Sequence, residues 1–219
     1  MLVKDRMSTN LISIPSSTTI LEAQKIMKDN DVRRLPVIDQ NRLVGIITYN
    51  DLLEASPSKA TTLSRFELTY LLAKTKIAEI MKKKVITVTP ETPIEEAALI
   101  MKKNEIGGLP VVEDTQVVGM ITESDIFEVL VETLGVEEGG TRLTLELPQK
   151  PGILFEVTRV LRDYQVNILS LATFYDLEKP EYRYVVVRIG TNQPDPILED
   201  FSKVADISVK HVWVSPEGG

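Results

Sequence analysis

The chain has 219 residues, a net charge of −7, 43% hydrophobic and 26% charged side chains, and no cysteine. That is enough chain for one large or two small cores, and the missing cysteine excludes disulfides and thiolate metal sites and fits a reducing compartment. Residues 1–80 carry 11 basic and 9 acidic side chains, 81–140 carry 5 and 12, and 141–219 carry 9 and 11. Duplex nucleic acid demands clustered positive charge, so no nucleic-acid partner is expected. The opening MLVKDRMSTN lacks the apolar core of a signal peptide. No apolar run approaches the roughly 18 residues of a membrane span. The expectation is a cytoplasmic protein without membrane association.

In chain order, Ile20, Ala23, Ile26 and Met27 recur at helical spacing. RLPVID (34–39) and LVGIIT (43–48) follow as short β-rich runs around the polar turn Asp39-Gln40-Asn41-Arg42, which predicts a hairpin. Thr48 then opens a short helix. The same grammar returns later: residues 18–51 laid over 92–125, an offset of 74 without gaps, agree at 16 of 34 positions. That spacing exceeds solenoid periods and reads as two tandem modules. Two strands with flanking helices cannot bury themselves, so the copies are expected to pack on each other.

Both copies end in Gly, two apolar residues, Thr, two variable residues and Asp: Gly45 to Thr48 and Asp51, and Gly119 to Thr122 and Asp125. A helix cap explains each Thr and Asp and stabilises by only about 1 kcal/mol. It does not explain the glycines, which weaken a strand and often mark close approach of a ligand or another backbone. The copies also differ. Arg33-Arg34 precedes Leu35, whereas Gly107-Gly108 precedes Leu109, leaving room there without charge.

The doubled pattern LPV(I/V)-(D/E) with (L/V)-V-G-(I/M)-I-T-x-x-D closely resembles the cystathionine-β-synthase (CBS) domain pair, over roughly residues 1–134. The resemblance implies a Bateman-type pair with two clefts for adenosine compounds. In it Asp51 and Asp125 accept the ribose hydroxyls, Thr48 and Thr122 contact ribose or phosphate, and Arg33 and Arg34 reach phosphates. An ionised carboxylate is acceptor-only and takes two hydroxyl donors, and the arginine fork matches phosphate oxygens. Gly45 and Gly119 belong to the same expected ligand-binding set. The ligands implied are AMP, ADP, ATP or S-adenosylmethionine, bound as regulators and not as required cofactors.

Residues 56–76 read as a linker. Ser56-Pro57-Ser58 predicts a loop, and Phe66, Leu68, Leu71 and Leu72 predict a short amphipathic helix. This stretch resembles the corresponding segment of the acetoin-utilisation B-type regulators. The expected division is thus a first module at 1–55, the linker, a second module at 77–134, a glycine-rich linker at 135–140 and a third domain at 141–214.

That third segment runs strand, helix, two strands, helix, strand, the ferredoxin-like βαββαβ plan. With Pro151-Gly152 at the first helix start and Asn167-Ile168 opening the next strand, it resembles an ACT domain. ACT domains pair edge to edge and bind amino acids at that interface, which implies Gly152 and Asn167 as ligand contacts. Gln149 stands where an acidic residue is often found, which makes dimerisation the safer role. The single histidine, His211, alternates with Val209 and Trp213 along a strand. With no positioned nucleophile, base or metal set, no reaction and no catalytic or metal site is expected. The fold class is mixed α/β. The expected function is a non-enzymatic, homodimeric regulator that transmits adenosine-ligand occupancy to the ACT domain or to a metabolic enzyme, with a role in acetoin utilisation implied by the family. The alternative is a ligand-free scaffold that dimerises through both kinds of domain.

Overall fold

The computed structural model describes residues 1–56, 64–175 and 177–216. Pro57, Ser58 and the Leu68 side chain, which the sequence reading used, lie outside the described residues. The chain divides into two units, Met1–Ile126 and Phe127–Gly219. The division falls upstream of the glycine-rich 135–140 stretch where composition places it.

The first unit holds two copies of one motif. In the first, α1 (Ile20–Asp29) begins at a capping box in which Thr19 and Glu22 satisfy each other's backbone amides. Strands β1 (Arg34–Asp39) and β2 (Arg42–Thr48) form an antiparallel hairpin, and α2 (Tyr49–Glu54) follows. Gln40 and Asn41 both take positive φ, the backbone of a tight two-residue turn. After α3 (Arg65–Lys74) and α4 (Ile77–Ile80), the second copy runs α5 (Ile94–Asn104), β3 (Gly108–Glu113), β4 (Gln116–Thr122) and the start of α6 (Glu123–Thr133), whose residues from Phe127 on are counted in the second unit. The irregularity at Val37/Ile38 in the first hairpin recurs at Val111/Val112 in the second.

Equivalent residues are buried in each copy. Ile20, Ala23, Met27, Leu35, Val37 and Ile47 have the counterparts Ile94, Ala97, Met101, Leu109, Val111 and Ile121, all in the core. Each large apolar side chain removed from water contributes about 1.5–3 kcal/mol, so the helical and alternating patterns set the interior directly.

The internal symmetry reaches into segments that the sequence comparison omitted. Leu2 bridges to Pro93 and Ser8 to Met120, while Thr19 bridges to Lys76 and Ile46 to Lys82. The segment before each module therefore packs on the other module. Gly45 and Gly119 make this possible. A Cβ at Gly45 would lie 2.5 Å from Met81 Sδ and 3.1 Å from the Lys82 carbonyl oxygen, and one at Gly119 would lie 2.7 Å from the Ser8 carbonyl oxygen and 3.0 Å from Met7 Sδ.

Helix α3 forms, capped by Ser64 and Glu67, but it does not bury the expected stripe. Leu72 packs on the first module's core, whereas Phe66 is 82% exposed and Tyr70 and Leu71 are also exposed. The simple amphipathic expectation is corrected here: apolar residues recur along the helix, and of the described ones only Leu72 joins that core.

The second unit follows the ferredoxin-like plan. Strands β5 (Thr141–Pro148), β6 (Ile168–Tyr175), β7 (Tyr182–Ile189) and β8 (Ser208–Val214) form an antiparallel sheet in the order β6-β7-β5-β8. Helices α7 (Ile153–Asp163) and α8 (Asp195–Lys203) cover one face. Leu143, Leu145, Leu147, Val185, Val187 and Ile189 point into that core with Val157, Leu161, Ile197 and Phe201. Gly152 starts α7 with φ +82° and open space around its Cβ position, so backbone conformation is what requires glycine there.

Candidate functional site

Each Thr-x-x-Asp sequence sits where a hairpin ends and a helix begins, which fixes the Thr backbone as extended and turns the Asp back onto it. In the first copy the Thr48 amide and hydroxyl donate to Asp51 Oδ2 at 2.8 and 2.6 Å. The Asp51 amide in turn donates to the Thr48 hydroxyl oxygen at 3.2 Å. In the second, the Thr122 amide and hydroxyl donate to Asp125 Oδ2 at 2.7 and 2.8 Å. Both aspartates thus commit one oxygen to the turn. The turn itself leaves each carboxylate its second oxygen and further lone pairs, since a carboxylate offers about four acceptor sites.

The copies then diverge. Lys82 Nζ lies 3.1 Å from Asp51 Oδ1. Burial works against ionisation of Asp51, but the bonds from Thr48 and Lys82 prevail and hold its carboxyl below the usual range. Shifting Lys82 back by the 74-residue offset reaches Ser8, which brings no charge to the second copy.

Two of the first unit's cavities meet the Thr turns. The larger, about 760 Å³, is lined by Thr48, Asp51, Lys82, Lys84, Arg33, Arg34, Glu54, Glu105 and neighbours. Its four basic side chains outnumber three acidic ones. The smaller, about 430 Å³, is lined by Ser8, Asn10, Ile12, Asp31, Arg33, Arg34, Thr122, Glu123 and others, with two bases against two acids. Both volumes lie in the range of small-molecule sites. Asp125 contributes to the smaller one through Thr122 and does not itself line it.

Arg33 and Arg34 line both cavities, although both come from the first copy. The Arg34 guanidinium crosses to the second copy and donates to the Gly107 carbonyl. A Cβ on Gly107 would fall 2.6 Å from Arg34 Nη2 and 2.6 Å from a Glu123 carboxylate oxygen, and one on Gly108 would fall 2.7 Å from Arg34 Nη1. The Gly107-Gly108 pair is therefore not spare room: Arg34 fills it. Burial pulls the Arg34 pKa down, Glu123 pushes it back up and Arg33 adds to the fall, yet a guanidinium remains charged. Arg33 is exposed.

The structure brings Thr48, Asp51, Arg33 and Arg34 together, and Thr122 with the same two arginines. Gly45 and Gly119 are absent from both linings and accommodate Met81 and Ser8 instead. Lys82 and Lys84 are the residues that sequence reasoning missed. The signal was present, because Met7 and Ile12 recur as Met81 and Ile86 at the same offset and extend the repeat across Lys82.

In the second unit Gly152 begins α7, while Asn167 follows it, exposed, with its carbonyl accepting from the Gly190 amide. Eleven helical residues separate them, roughly 16 Å of axis. Gly152 lines a surface cavity with Lys150, Arg159 and Asp206, and Asn167 does not reach it. Among the described residues no cluster of His, Asp and Glu is arranged to hold a metal, and no helix is long and apolar enough to cross a membrane.

Comparison with known proteins agrees with this architecture. The chain is 36% identical over 135 residues to a CBS domain-containing protein of Dictyostelium discoideum, covering 61% of this chain and 93% of that one. It is 37% identical over 127 residues to L-aspartate semialdehyde sulfurtransferase of Methanocaldococcus jannaschii, covering 57% of this chain but only 22% of the enzyme. A CBS domain pair solved in complex with 5′-methylthioadenosine and S-adenosyl-L-methionine matches at 36% identity and TM-score 0.50, over 59% of this chain and 95% of its own. A Vibrio cholerae protein provisionally described as an acetoin utilization protein matches at 32% identity and TM-score 0.52, over 63% and 96%. The CBS domain model matches residues 3–58 and 77–132, and the ACT domain model residues 141–206. The chain belongs to the CBS-domain family, as a tandem CBS pair followed by an ACT domain.

Proposed function

We propose that the protein is a non-enzymatic regulator that senses adenosine compounds in the two clefts of its CBS pair. The observation that carries this reading is the placement of Thr48, Asp51 and Thr122 on two cavities that share Arg33 and Arg34. A ribose diol would donate to the aspartate oxygen that the Thr turn leaves free. The relative solved with methylthioadenosine and S-adenosylmethionine supports the ligand class.

The clefts are unequal in this account. The larger, with Lys82, Lys84 and Arg33, suits an adenine nucleotide carrying phosphates. The smaller, with Asp31 and Glu123 balancing the arginines, suits an uncharged or cationic adenosine such as methylthioadenosine or S-adenosylmethionine. Occupancy would pass to the ACT domain of a cytoplasmic homodimer, or to a partner enzyme, through differential affinity for two arrangements. Acetoin metabolism is the partner pathway suggested by the Vibrio relative. Amino-acid binding by Gly152 and Asn167 belongs to the same proposal only if a second chain brings the two ends of α7 together.

A thermal-shift series with AMP, ADP, ATP, adenosine, methylthioadenosine and S-adenosylmethionine tests the reading. A ligand at 100 times its Kd adds about 2.7 kcal/mol of stability, or about 5–10 °C for a chain of this size. No shift with any of them would leave the Thr and Asp pairs as helix caps in a structural scaffold.

A further inference from the structure

The sheet of the second unit has one face under its two helices and a second face that the adenosine reading leaves unused. Pairing registers place Ser170, Arg188, Arg142 and Trp213 side by side across β6, β7, β5 and β8. They lie on the side away from the Leu143 and Val187 core. Arg142 and Arg188 are directly opposite each other, two like charges on one face, which by itself is destabilising.

Among the described residues neither guanidinium has an acidic partner. Arg188, only 3% exposed, donates to the carbonyls of Leu134 and Gly139 at 3.1 and 2.9 Å and stacks 5.6 Å from the centre of the Trp213 ring. Arg142 donates to the Thr144 hydroxyl at 2.9 Å. Among the described residues no carboxylate lies within ion-pair distance of either. A buried cation ordinarily has an anionic partner. The two arginines stand at a cavity of about 330 Å³ whose other walls include Leu134, Ala172, Phe174 and Val186.

We infer that this sheet face binds a small monocarboxylate with a branched or aromatic apolar tail, its carboxylate bridging Arg142 and Arg188. The guanidinium pair supplies the charge and the fork geometry that a carboxylate needs. The apolar walls take the tail, and a cavity at the low end of the range for binding sites limits its size. Among the described residues the lining holds no acidic side chain that would pair with an ammonium. The site therefore takes an acid without an amino group in preference to an amino acid, and it lies within a single chain.

Trp213, the one tryptophan of the chain, reports on the site directly. Its fluorescence is followed in the full-length protein during titration with 4-methylpentanoate, and in parallel with 4-methylpentanamide, acetate and leucine. The expected result is a saturable change with 4-methylpentanoate and at least tenfold weaker responses to the neutral amide, the tailless acid and the amino acid. Arg142→Gln, which relieves the like-charge pair, and Ala172→Leu, which fills the cavity, should abolish the response. Arg142→Gln should do so without lowering the melting midpoint. No saturable change with the acid, an equal response to the amide, or undiminished binding in folded Arg142→Gln would overturn the inference.

Discussion

Lys82 Nζ stands 3.1 Å from Asp51 Oδ1, and the residue that the internal repeat places at the matching position of the second copy is Ser8. This substitution is one of several that separate the two related clefts, with Lys84 against Asn10 and Arg33-Arg34 against Gly107-Gly108. Lys82→Ser should weaken a phosphate-bearing nucleotide about 10-fold or more in the larger cleft, because a hydrogen bond to a charged group contributes about 1.5–3 kcal/mol. Stability should fall by less than about 1 kcal/mol, since the lysine is largely exposed. Calorimetric titration and urea denaturation measure the two effects separately.

Arg34 makes a different prediction. Its guanidinium lines both cavities and crosses from one copy to the other. Arg34→Ala should weaken ligands in both clefts at once and remove a cation that Glu123 interacts with. A variant that lost binding in only one cleft would show that Arg34 is structural at the other. Arg34→Lys should not restore full binding, because an ammonium cannot reproduce the planar fork.

The two glycines before the Thr turns should differ in their tolerance of alanine. At Gly119 a Cβ meets backbone, the Ser8 carbonyl oxygen, at 2.7 Å, whereas at Gly45 the nearest atom is the flexible end of Met81. Gly119→Ala should cost about 1–3 kcal/mol by overpacking, and Gly45→Ala measurably less. Urea denaturation of the two variants decides this, and equal costs would mean that Met81 cannot swing aside.

The acid side of the stability curve carries a signature of Asp51. Its carboxyl is held below the ordinary range, with burial opposing and the Thr48 and Lys82 bonds prevailing. A carboxyl depressed by folding stabilises fully above its unfolded value of about 3.9, and that contribution is lost as pH falls through the lower folded value. The stability difference between the wild-type protein and Asp51→Asn should therefore be largest near neutral pH and shrink below about pH 4. Chemical denaturation at pH 7, 5 and 3.5 tests it, and a difference independent of pH would contradict the assignment.

Most of the fold was legible because its determinants are periodic. Ile20, Ala23 and Met27 or Leu143, Leu145 and Leu147 reach the core at the spacing their elements demand. The Thr turns were legible too, being local: Thr48 and Asp51 stand only three positions apart. What escaped was non-local. The exchange of Met7 and Met81 onto the opposite modules depends on the packing of two copies. So does the insertion of Arg34 into the space of Gly107 and Gly108. The 74-residue offset contained the first of these, but only if carried upstream of the aligned block. The pairing of Arg142 with Arg188 needed the strand register, which alternation alone does not give.

The central claim is that two distinct adenosine sites exist, one built around Asp51 and one around Thr122 and Asp125. Isothermal titration of the wild-type protein, Asp51→Ala and Asp125→Ala with S-adenosylmethionine and with ADP tests it most directly. The account predicts that Asp51→Ala loses the ADP event and keeps the S-adenosylmethionine event, and that Asp125→Ala does the reverse. No heat from either ligand with the wild-type protein, or both events intact in both variants, would contradict it.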